Sequence, residues 1–174
     1  MEDRSGGGAP AGAEIVLDIA GLGVLIYSPS SATHIGEGED YLAERYWAAE
    51  DVQRHVQAGT VVAFATGSPG RFVLRLRDGY PSRGKLQAAD FKLRLGLRCD
   101  GAVVFRDLYD LMDWTAEFPA EQSAQLAPGI YHLMLCSDRP ASGTLGDNQV
   151  VDVYFQAVDD FPALASDGIA TLCG

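Results

Sequence analysis

Residues 129–156 read GIYHLMLC (129–136), SDRPASGTLGDN (137–148) and QVVDVYFQ (149–156). The two flanks are short, apolar and rich in β-branched or aromatic residues, which is the composition of strands. The twelve residues between them are turn formers, more than a tight hairpin requires. A long polar connection between two strands is either a binding loop or a solvated excursion.

The same signals continue outward. Upstream, residues 71–77 alternate, with Arg71, Val73, Arg75 and Arg77 on one face and Phe72, Leu74 and Leu76 on the other. Residues 90–99 repeat the design, setting Phe91, Leu93, Leu95 and Leu97 against Lys92, Arg94 and Arg98. Cys99-Asp100-Gly101 predicts a hairpin turn into Ala102–Phe105. Residues 60–66 read as a strand that a Gly67–Gly70 turn returns into the next. Residues 14–27 form a hairpin or one long bent strand around Gly21. Residues 39–58 are the best helical ground, with Tyr41, Leu42, Tyr46, Trp47, Val52 and Val56 at roughly helical spacing and Gly59 as the C-terminal cap. Residues 78–89 form a turn-rich link. Asp107–Trp114 predicts a short helix with Leu108, Leu111 and Met112 inward, and residues 169–173 an apolar tail tucked onto the core.

The fold class that follows is mainly β: an antiparallel β-sandwich or half-barrel of about seven or eight strands with one notable helix at about 39–58. The alternative is an α+β sheet with the helix on one face. Residues 1–13 read as a flexible Gly-rich tail and 14–174 as a single β-rich domain.

Composition narrows the function. Hydrophobic residues make up 47% and charged residues 21%, ordinary for a globular chain. The formal net charge of −11 argues against nucleic-acid binding and against an anionic membrane surface, and suits a basic protein partner. The charge is segregated: −7 over residues 1–70, +6 over 71–106 and −10 over 107–174. The middle segment is thereby set to be neutralised by its flanks. Cys99, Cys136 and Cys173 form neither a C-x-x-C pair nor an even disulfide framework, so the expectation is reduced thiols in the cytoplasm. No secretory leader is visible at the start.

No G-x-S-x-G, H-E-x-x-H or P-loop pattern occurs, and no cofactor motif. Cys136 and His132 share a strand face, but four residues along a strand span roughly 13 Å, too far for a nucleophile–base pair. His34 and His55 stand in no motif. Asp107, Asp110 and Asp113 at i, i+3 and i+6 would fan over one helix face as an acidic surface. Three carboxylates can hold a cation, but solvated acids at a helix edge are the simpler reading, and no metal is assigned. Under the 137–148 loop the candidates for ligand or partner contact are Asp138, Arg139, Asp147 and Asn148, with His132. Calcium at Asp138, Asp147 and Asn148 lacks EF-hand spacing, and these side chains equally suit their own turns.

LYDLMDW (108–114), GIYH (129–132), CSDRPASG (136–143) and GDNQ (146–149), with Phe161-Pro162 and Thr171–Cys173 at the end, resemble a family of bacterial proteins of unknown function. The resemblance implies a compact bacterial domain and transfers no catalytic residue. The expected function is a protein-binding module rather than an enzyme: an acidic inhibitor or immunity-type protein that neutralises a basic partner such as a toxin or nuclease. The alternative is a small-ligand-binding protein or enzyme with its site under the 137–148 loop.

Overall fold

Alternation along the strands sets the layers. The computed structural model describes residues 12–164 and 168–172, and within these ten strands and three α-helices follow one another. They are β1 (Glu14–Ile19), β2 (Gly23–Tyr27), α1 (Tyr41–Arg45), α2 (Ala49–Ala58), β3 (Val61–Ala65), β4 (Gly70–Asp78) and α3 (Arg83–Ala88). Then come β5 (Phe91–Cys99), β6 (Ala102–Asp107), β7 (Ser123–Gln125), β8 (Gly129–Ser137), β9 (Gln149–Val158) and β10 (Ala170–Thr171). One five-stranded sheet has the order β1-β4-β9-β8-β5, and the other β10-β3-β2-β6-β7.

The sandwich is therefore mainly β, as its sequence predicts, with two corrections. It has ten described strands rather than seven or eight, and both sheets are mixed: β4 pairs with β9, and β10 with β3, in parallel. The expected hairpins are also redistributed. The turns after β1, β3 and β5 each lead into the opposite sheet, so Cys99–Gly101 is an arch rather than a hairpin. Strands joined by the long 138–148 loop, β8 and β9, are instead direct antiparallel neighbours, with Ser137 opposite Val151 and His132 opposite Gln156.

Phe72, Leu74 and Leu76 of β4 meet Val24, Ile26, Phe64 and Phe105 of the other sheet in the core between the sheets. A fully buried side chain of this size contributes about 2–3 kcal/mol of transfer free energy. The second sheet is covered on its far side too. Leu25, Tyr27, Val61, Ala63 and Val104 pack there against Tyr41, Tyr46, Val52, Leu111 and Trp114. This is why all five residues of β2 are buried and why its sequence runs apolar without alternation. The far face of the first sheet carries the arginines, neutralised by acids from both ends of the chain. Arg71 pairs with Asp18, Arg75 with Glu14 and Arg77 with Asp152.

The helix expected over 39–58 is two helices. Tyr46 leaves helical geometry at φ −140° and sinks fully into the second core, its ring 4.8 Å from that of His55. Ala48 is extended before α2 begins. Gly59 caps α2 in the left-handed conformation, as expected, its N–H donating to the His55 carbonyl. The link at 78–89 contains α3, capped by Ser82, whose hydroxyl accepts from the Lys85 N–H at 3.1 Å. Of the tail expected over 1–13, residues 1–11 lie outside the described part. Gly12 and Ala13 bond to Leu76 and extend the β1 edge. Leu172 is buried in the core, as the apolar tail predicts, and Cys173 lies outside the described residues.

Two glycines lock the 138–148 loop to the arch between β3 and β4. Gly70 (φ 140°) and Gly146 (φ 81°) touch backbone to backbone, the Arg71 N–H donating to the Gly146 carbonyl at 2.7 Å. A Cβ at Gly70 would collide with Gly146, in a backbone region that only glycine adopts readily. Gly70→Ala is expected to destabilise the fold by about 3 kcal/mol. A urea-unfolding midpoint unchanged from the parent would contradict this packing.

Candidate functional site

Asp40 starts α1, its Oδ1 accepting from the Ala43 N–H at 3.1 Å. Six residues later the chain turns at Tyr46, and the break that buries Tyr46 throws Trp47 outward, 72% exposed. Against α1 lies the 3-10 turn Leu108–Met112. With three residues per turn, Leu108 and Leu111 share the buried side, while Tyr109 (43% exposed) and Met112 (48% exposed) share the solvent side. Met112 is thus outward, contrary to the inward placement an α-helical period predicts. Leu42, Ala43, Trp47, Tyr109, Met112 and Asp40 line a mostly apolar hollow of about 480 Å3. Segments 37–47 and 107–118, which frame it, contain eight acidic residues and a single base, Arg45.

Buried polar contacts hold the two walls together. Arg106 donates to Asp110 Oδ2 at 2.8 Å, to the Thr115 carbonyl at 2.8 Å and to the Tyr27 hydroxyl at 3.2 Å. Its guanidinium also lies 4.5 Å from the centre of the Trp114 ring. Trp114 in turn exchanges backbone hydrogen bonds with the loop before α1, donating to the Glu39 carbonyl and accepting from the Gly38 N–H. Asp107 Oδ1 caps the 3-10 turn at the Tyr109 N–H, and its Oδ2 accepts from Ala20 and Gly21. The acidic set Asp107, Asp110 and Asp113 therefore does not act as one carboxylate trio. Two of its members are bonded to the fold, and only Asp113 is exposed at the end of the turn.

The loop candidates are gathered in part. Asp138, Arg139 and Asn148 line a separate hollow of about 310 Å3 with Arg75, Lys85 and Asp152. Asp152, nearly buried, receives Arg77 at 3.2 Å and Lys85 at 2.8 Å. Asp138 accepts from the Asp90 N–H, and the Asp90 carboxylate accepts from the Arg139 N–H, stitching the loop to the start of β5. Asp147 is not among the lining residues and instead accepts a long 3.5 Å bond from Asn148. His132 lies away from this hollow, between Tyr80 and Arg94. Its Nε2 accepts from Arg94, so Nδ1 carries the proton and donates to the Tyr80 hydroxyl. Cys136 is fully buried, and burial pushes its thiol above the usual range.

The two remaining histidines have found a common partner that no motif announces. His55 Nδ1 donates to the Asp51 carbonyl at 2.7 Å, which leaves Nε2 to accept from the Tyr41 hydroxyl at 2.6 Å. That hydroxyl oxygen then accepts from His34 at 3.0 Å. The chain His34–Tyr41–His55 anchors the first residue of α1. Burial lowers the pKa of His55, and burial followed by the Arg94 charge lowers that of His132. With both folded values below the usual 6.5, the unfolded chain takes up protons first as pH falls. The melting temperature is accordingly expected to fall as pH drops below about 7. His55→Gln with His132→Gln should flatten that dependence; an equally steep fall in the double variant would refute the assignment.

No family model and no curated protein matches the chain. Two solved structures resemble it. The first, described as crocagin biosynthetic gene J, has a TM-score of 0.50 at 15% identity, covering 82% of this chain and 95% of its own. The fold is shared. ComJ of Bacillus subtilis, described as an inhibitor of the DNA degrading activity of NucA, gives a TM-score of 0.45 at 13% identity, covering 83% and 95% respectively. Among the described residues no helix is long and apolar enough to cross a membrane.

Proposed function

We propose that this protein is a binding module that captures and neutralises a basic protein, seating it on the Trp47–Tyr109–Met112 hollow. The observation that carries the reading is the exposure of these three side chains together. Large apolar side chains clustered at a surface and rimmed by charge mark interaction sites, and tryptophan and tyrosine dominate binding hot spots. The surrounding acids supply the long-range attraction that speeds encounter with a cationic surface and rejects acidic competitors. A blocking function needs no catalytic group, only a surface that stays occupied.

The test is capture of a purified basic candidate, or of proteins from a lysate, by the parent and by Trp47→Ala at two salt concentrations. A basic partner held by the parent, lost with Trp47→Ala and weakened by salt supports the reading. A partner captured equally well by Trp47→Ala overturns it.

A second reading rests on the hollow beneath the 138–148 loop, where Arg75, Lys85 and Arg139 converge near Asp152. Such a mixed-charge recess suits a small anionic ligand. If it binds one, Lys85→Ala and Arg139→Ala should each abolish the thermal shift that ligand produces.

A further inference from the structure

The hollow between α1 and the 3-10 turn differs in one respect from an ordinary greasy patch. Trp47 and Tyr109 provide aromatic surface, and Leu42, Ala43 and Met112 provide aliphatic surface, yet a carboxylate, Asp40, stands in the same lining. Only one oxygen of Asp40 is used by the fold, in capping α1 at Ala43. Among the described residues its Oδ2 has no hydrogen-bond or ion-pair partner. Burying a purely apolar group against that oxygen would strip its water without replacement.

We infer that the occupant of this hollow is a cationic side chain, an arginine of the basic partner, a conclusion that rests on the docking reading above. Aromatic rings attract a cation through their negative faces, and the effect strengthens as water leaves. The guanidinium is planar and weakly hydrated, so it stacks on an aromatic surface more readily than a lysine ammonium does. Its remaining N–H groups can donate to Asp40 Oδ2, while its methylene stem packs on Leu42 and Met112. The hollow's volume, about 480 Å3, lies within the roughly 300–1,000 Å3 typical of ligand pockets. The acidic frame of residues 37–47 and 107–118 then selects the charge at longer range.

The probe is Nα-acetyl-arginine amide, with the citrulline analogue as its neutral near-isostere, followed by the indole N–H resonance of Trp47 in the full-length protein. Comparison with Trp47→Phe assigns the resonance. The arginine compound is expected to shift it saturably and to bind about tenfold more tightly than the citrulline compound. Asp40→Asn should weaken arginine about fivefold, as a single charge-assisted bond is lost, while leaving the melting temperature unchanged, because asparagine caps a helix as well as aspartate does. Equal binding of arginine and citrulline, no shift with either, or indifference to Asp40→Asn would each overturn the inference. The docking reading is judged separately. A basic protein still lost with Trp47→Ala preserves it when the cation test fails, and one retained by Trp47→Ala removes both.

Discussion

Trp47→Ala is expected to weaken binding of a basic partner by at least about thirtyfold, the loss that marks a hot-spot residue. The melting temperature should move by less than a degree or two. These two results belong together because Trp47 projects into solvent, where a substitution costs the fold little. A titration of both proteins against the same partner by calorimetry, with parallel thermal melts, would measure them. Met112→Ala should act in the same direction with a smaller loss, since the thioether is a flexible neighbour rather than a rigid anchor. Raising salt should slow association more than it hastens dissociation, because the acidic frame acts mainly before contact. A dissociation constant within twofold of the parent would remove the hollow from consideration as the docking site.

The largest loss of stability should follow Arg106→Ala. Arg106 is buried at the end of β6 and satisfies three acceptors at once while its guanidinium covers Trp114. Its removal leaves the Thr115 carbonyl and the Tyr27 hydroxyl without their donor and opens a void beside Trp114. The buried Tyr27 hydroxyl left unsatisfied costs about 1–3 kcal/mol, and with the void beside Trp114 a total near 3–4 kcal/mol is expected. Asp110, half-exposed, recovers water and adds little. Arg106→Lys should recover only part of the loss, since one ammonium does not reproduce the planar fork that reaches three partners. Chemical denaturation would show a lower midpoint with an unchanged slope. A cost below 1 kcal/mol would mean that the turn carrying Tyr109 and Met112 is held by something else.

Strand identity was legible because alternation is a local property. Phe72, Leu74 and Leu76 could face only one way once Arg71, Arg75 and Arg77 faced the other. Sheet membership was not legible, because Cys99-Asp100-Gly101 reverses the chain equally well within a sheet or between two. The charge segregation pointed correctly to internal pairing of Arg71, Arg75 and Arg77, and the acids that do it, Glu14, Asp18 and Asp152, come from both flanks. The binding surface was hidden by periodicity itself. A single helix over 39–58 would have turned Trp47 inward beside Tyr46, and an α-period at 108–112 would have done the same to Met112. The break at Tyr46 and the three-residue period of the later turn reverse both. The 138–148 loop drew attention by its length and polarity, yet much of that polarity is spent inside the fold. Gly146 donates to Gln149, Gln149 to Ser137, and Ser137 to Val150.

The position of β9 has a consequence for how the chain is made. It is the middle strand of the first sheet, with β4 on one side and β8 on the other, yet eight of the described strands precede it in sequence. During synthesis the β1–β4 pair and the β5–β8 pair therefore emerge without the seam that joins them. Until residues 149–158 leave the ribosome, the facing edges of β4 and β8 wait unpaired, the condition under which nascent chains associate wrongly. A sheet closed by such distant pairings forms slowly and late. This protein gains little from folding piecemeal as it is translated, and its yield in a cell should depend on how well the growing chain is shielded until that strand arrives.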